Sequence, residues 1–63
     1  MERELVARVE GRGVDEDPGI ILLYRLGDQV SLVATSEKGG DAEVILDGAA
    51  VAALREALKK ISA

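Results

Sequence analysis

Apolar residues change their spacing once along the chain, and that change divides it in two. From Glu2 to Glu10, "ERELVARVE" alternates, with Leu5, Ala7 and Val9 on one side and Glu4, Val6 and Arg8 on the other. A period of two predicts a strand. The stretch "GRGVDEDPG" that follows holds three glycines, three acids and a proline, and predicts a connecting loop. Residues 19–26 and 29–35 are rich in Ile, Leu and Val and predict a second and a third strand. Gly27 and Asp28 between them suit a hairpin turn, because glycine takes positive φ without penalty. "TSEKGGD" supplies another turn and "DAEVILD" a short fourth strand.

Beyond Asp47 the period lengthens. In "DGAAVAALREALKKIS", Val51, Leu54, Leu58 and Ile61 recur every three or four residues, with Ala50, Ala53 and Ala57 beside them. Asp47 is placed to cap the free amides of the first turn, and Lys59 and Lys60 complement the dipole at the last. The order is β-β-β-β-α, an α+β fold. Short connections favour an antiparallel meander, since parallel pairing needs a crossover of a dozen or more residues. The helix's apolar stripe is expected to cover one face of the sheet.

The segment "GIILLYRLGDQVSLVAT" carries apolar residues at adjacent positions, so both faces of the central hairpin are aliphatic. Two registers are open. With a three-residue loop, Ile20, Leu22 and Tyr24 share a face with Val30, Leu32 and Ala34, and Ile21, Leu23 and Val33 take the other. With a two-residue loop, Leu23 lies beside Leu32 and Leu22 beside Val33. In either case each face keeps at least three large aliphatics, and Val6 and Ile45 add to the second. Burying one such side chain is worth about 1.5–3 kcal/mol, so leaving several wet is a large loss for a small domain. The expected dimer or partner face is therefore Val6, Ile21, Leu23, Val33 and Ile45, covered by a copy of the chain or by another protein.

Length sharpens this expectation. The chain has 63 residues, one small domain, and domains of that size rarely draw more than about 3–5 kcal/mol from a single core without a staple. It contains neither Cys nor His, which excludes a disulfide and argues against a zinc site. Assembly is the staple that remains, and idealised packing is the competing option. No apolar run approaches the roughly 18 residues of a membrane span, and the N-terminus lacks the pattern of a secretory signal, so the expected compartment is the cytoplasm, with no membrane partner.

Candidate chemistry is sparse. Ser31, Thr35, Ser36, Ser62 and Tyr24 are the hydroxyls, and no spacing pairs one with a base, so no catalytic residue, cofactor or enzyme activity is expected. Asp15, Glu16 and Asp17 lack the alternating ligand pattern of a calcium loop and are expected to be a solvated turn, with Pro18 guarding the start of the second strand against edge pairing. The "GRG" and "GG" pairs do not stand between a strand and a helix as a phosphate loop requires. A net charge of −4 and a single aromatic residue, Tyr24, weigh against nucleic acid.

Four strands closed by "EVILDGAAVAALREALKKI" resemble, in element order, the positive-cofactor-type transcriptional coactivators. That resemblance implies a homodimer formed with help from the helices and single-stranded DNA bound across the sheets. Family members carry basic and aromatic side chains on the DNA-binding face. The positions here that match are Arg8, Arg25, Lys38 and Tyr24, set among aliphatics and acids. The leading expectation is a non-catalytic homodimeric binding or scaffold module. The alternative is a single-stranded nucleic-acid binder of the coactivator type.

Overall fold

The structure, a computed structural model, describes residues 2–62. Four strands form one antiparallel sheet in chain order: β1 (Glu4–Arg12), β2 (Pro18–Leu26), β3 (Gln29–Ser36) and β4 (Gly40–Leu46). One helix follows, α1 (Gly48–Ser62). The meander and the C-terminal helix are those the sequence predicts. The loop after β1 is shorter than expected, because Gly11 and Arg12 stay paired with Gly19 and Pro18.

The hairpin register follows from a two-residue turn. Leu26 pairs with Gln29, Leu23 with Leu32 and Leu22 with Val33. Gly27 has φ 62° in the first central position, which a type II′ turn reserves for glycine. On the other side of β2 the alternation breaks at Val6. Leu5 pairs with Tyr24 but Ala7 pairs with Leu23, so Val6 is the extra residue of a bulge. Leu5 therefore lies on the face opposite Ala7 and Val9, where strict alternation would have joined them.

These registers sort the sheet into two unlike faces. On one, cross-strand rows read Ala7–Leu23–Leu32–Val44 and Val9–Ile21–Ala34–Ala42, followed by Val30 and Leu46. This is the aliphatic face. The other carries Leu5–Tyr24–Ser31–Ile45 and Arg8–Leu22–Val33–Glu43, with Glu10, Ile20, Thr35 and Asp41 beyond. This is the mixed face.

Helix α1 covers neither. It starts one residue after β4, capped by Asp47, whose Oδ1 accepts the Ala50 N–H at 2.8 Å. It then runs on with no buried residue, its main contact with the sheet being a slight one to β4. Covering the sheet would need the helix to turn back over it, and the single-residue link leaves no slack for that. Leu54, Leu58 and Ile61 stay 39, 56 and 80% exposed.

No hydrophobic side chain among the described residues is buried; the two buried residues are Asp17 and Ser31. The dimensions agree. A folded monomer of 6.6 kDa is expected to expose about 3,900 Å², whereas this chain exposes 4994 Å². Its radius of gyration is 12.7 Å, where a compact domain of this length has roughly 10.6 Å. One chain is a plate of 35 × 33 × 15 Å with no hydrophobic interior among the described residues.

The β1–β2 loop is more ordered than a solvated turn. Asp17 is 6% exposed, and its Oδ2 accepts the Lys38 N–H at 2.7 Å, tying the loop to the β3–β4 turn. The Gly13 N–H donates to the Asp17 carbonyl at 2.8 Å, and Glu16 takes φ 63° between them. A Cβ on Gly13 would fall 2.2 Å from Asp17 Oδ1, so this approach needs glycine. Pro18 opens β2, which lies inside the sheet and not at its edge. As the first residue of the strand it can do without an N–H, and its carbonyl accepts the Glu37 N–H at 3.2 Å.

Candidate functional site

The expected contact set divides between the faces. Ile21 and Leu23 lie in the aliphatic rows, Val33 and Ile45 lie on the mixed face, and Val6 sits in the bulge. The two-residue turn is the reason, since it puts Leu23 beside Leu32 and moves Val33 to the far side. Residues the expectation missed complete the aliphatic face, namely Leu32, Val44, Ala34 and Ala42. The signal was present in Gly27–Asp28, a turn pair that selects the two-residue loop.

Nothing polar interrupts the two aliphatic rows. At one end the face narrows to small residues, with Gly11, Gly19 and Gly40 beside Ala34 and Ala42. They help line an open concavity of about 490 Å³. At the other end Arg25 and Glu4 close the rows with an ion pair at 3.4 Å.

The mixed face satisfies its own polar groups. Ser31 is fully buried, and its hydroxyl donates to Glu43 Oε2. Arg3 Nη2 donates to the same oxygen at 3.1 Å, and its guanidinium lies 4.7 Å from the centre of the Tyr24 ring. The Ser31 hydroxyl, opposed by desolvation and aided by Arg3, holds the Glu43 carboxyl below the ordinary glutamate range. Asp17 is likewise held low, chiefly by the Lys38 N–H. Thr35 donates to Asp41 across the same pair of strands.

These hydroxyl–carboxylate pairs were not visible in the sequence, because they join residues six and twelve apart through the β3–β4 register. The Ser31–Glu43 pair is poorly built for nucleophilic attack. Ser31 is sealed from solvent, and a carboxyl held low is a weak base.

The basic residues do not form one patch. Arg8 lies on the mixed face and Arg25 on the aliphatic side, so the two do not share a face. Arg8 is paired with Glu10 at 2.8 Å and Arg12 with Glu16 at 2.8 Å. Lys38 stands in the β3–β4 turn, and Tyr24 is covered by Arg3.

Among the described residues no three acidic side chains gather as a cation site, and no helix is long and apolar enough to cross a membrane. Comparison with protein-family models, with curated proteins and with solved structures finds no match to this chain.

Proposed function

We propose that this chain is a non-catalytic binding or scaffold module that works as a homodimer. The observation that carries the reading is a continuous aliphatic face in a chain whose described residues bury no hydrophobic side chain. A soluble chain seldom leaves so large an apolar surface in water. Its area in excess of a compact monomer is about 1,100 Å² per chain, or about 2,200 Å² for a pair. Obligate homodimers bury about 2,000–5,000 Å². With the aliphatic faces occupied, the two mixed faces point outward and are the surfaces left for another protein. A reducing cytoplasm suits a chain that has no cysteine to oxidise.

Sedimentation over a dilution series from roughly 100 μM to roughly 1 μM tests the dimer. A constant mass of twice the chain supports it. A folded monomer throughout overturns it.

Single-stranded nucleic-acid binding is the second reading, and it draws on Arg8 and Tyr24 sharing the mixed face. It has less support, because Arg25 lies on the other side and Arg8 is paired with Glu10. Oligonucleotide affinity at low salt that falls steeply as salt rises, and is lost in Arg8→Ala, would favour it. No binding at low salt would end it.

A further inference from the structure

Two apolar surfaces in one chain lack a partner, the aliphatic sheet face and the stripe of α1. We infer that they cover one another between copies: the α1 stripe of one chain lies across the aliphatic face of its partner, and the partner's helix returns the contact. This inference rests on the homodimer reading and specifies its surfaces.

Geometry supports the exchange in three ways. Asp47 alone separates β4 from α1, and one residue spans at most about 3.6 Å. A helix with its side chains is about 10–12 Å across, so seating it on its own sheet asks more displacement than that link provides. The Asp47 cap also fixes the helix direction at its first turn. Between copies no such tether applies.

Size is the second argument. From Val51 to Ile61 the stripe is about 15 Å long. Along β3, Val30 to Ala34 covers about 14 Å at about 3.4 Å per residue, so one stripe runs the length of the aliphatic face, from the Val30 row to the Ala34 row.

Shape is the third. Glycines and alanines at one end of the aliphatic face leave the concavity of about 490 Å³, whereas the stripe presents branched side chains. Leu58 or Ile61 of the partner fills that hollow, and the more aliphatic end meets the alanine-flanked start of the helix.

The test uses the unmodified sequence. Isotope-labelled and unlabelled chains are unfolded together, refolded and examined for nuclear Overhauser contacts that cross between chains. Contacts from Leu54 and Leu58 methyls to Leu32 and Val44 methyls of the other chain are the expected result. Contacts between Leu32 and Leu23 of two chains would mean that the sheets stack directly, which overturns the helix exchange and leaves the dimer standing. A monomeric mass would remove both readings.

A chemical check is available because the chain has no cysteine. Leu32→Cys and Leu54→Cys, purified separately and refolded together, are expected to give the mixed disulfide, with loss of covalent dimer when Leu32→Cys is oxidised alone. Equal self-coupling of Leu32→Cys, or an intrachain bond in a chain that carries both substitutions, overturns the exchange.

Discussion

Adjacent residues on one strand, Leu32 and Val33, belong to two different surfaces. Leu32 sits between Leu23 and Val44 in a row with no polar atom to offer. Val33 sits between Leu22 and Glu43, on a face where Ser31, Arg3 and Glu43 already satisfy each other. Both faces contain large aliphatics, and a count of apolar residues does not separate them. What separates them is whether the polar groups between the aliphatics are provided for. A face that pairs its own hydroxyls and carboxylates can stay in water, whereas a face of unbroken hydrocarbon gains only by being covered.

The largest expected effect puts one charge on each face in turn. Leu32→Lys places an ammonium in the middle of the aliphatic rows, where a covering chain leaves it neither water nor a counter-charge. We expect a loss of more than about 4 kcal/mol, seen as a monomeric, unfolded chain by sedimentation and circular dichroism. Val33→Lys places the same group directly across from Glu43, where an opposite charge awaits it. We expect a folded dimer within about 1 kcal/mol of the parent. Equal damage from both variants would erase the distinction between the faces.

Helix α1 provides the next comparison, between its stripe as it stands exposed in one chain and the same stripe in the proposed dimer. If the stripe is seated on a partner, Leu58→Ala removes buried methyl groups and costs about 2–5 kcal/mol, with a midpoint of unfolding that depends on protein concentration. If the stripe stays in solvent, the same change falls within about 0.5 kcal/mol. Denaturant titrations at two protein concentrations distinguish these outcomes.

Much of the fold was legible because local signals agreed. The switch from a period of two to one of three or four marks α1, and the glycine-bearing turns mark the hairpins. The faces were harder to read. One bulge at Val6 inverts the side on which Leu5 lies, and no run of residues announces it. One residue more or less in the β2–β3 loop moves Val33 from the face of Leu23 to the opposite one. The uncovered sheet was illegible for a different reason. Amphipathicity says that α1 needs an apolar partner but not which chain provides it, and that depends on the reach of a one-residue link. Asp17 was misjudged because its composition is that of a solvated loop, while its partner Lys38 lies twenty-one residues away.

A smaller effect is expected where the chain leaves the sheet. Asp47→Ala removes the acceptor for the Ala50 N–H and should cost about 1 kcal/mol, whereas Asp47→Asn retains most of the cap. Thermal unfolding of the two variants side by side checks this. In the exchanged dimer the loss is felt by both helices, so the Ala variant should also dissociate at a higher concentration than the parent.

The weakest expected effect at neutral pH separates the faces by titration. Glu43 is held below its ordinary range by the Ser31 hydroxyl and by Arg3, so the folded state binds its proton less readily than the unfolded chain does. Its contribution is complete above the ordinary glutamate range and is lost as pH falls through the lowered folded value. Asp17, held low by the Lys38 N–H, behaves in the same direction. Unfolding measured from about pH 7 down to about pH 3 should therefore show an acid limb that Glu43→Gln makes shallower. Leu32→Ala carries no titratable group. It should lower the whole curve by a similar amount at each pH and leave the slope of the acid limb unchanged, because its row, Ala7–Leu23–Leu32–Val44, has no proton to gain. A steeper acid limb in Leu32→Ala would mean that the two faces are coupled, and that covering one helps to hold the carboxylate network on the other.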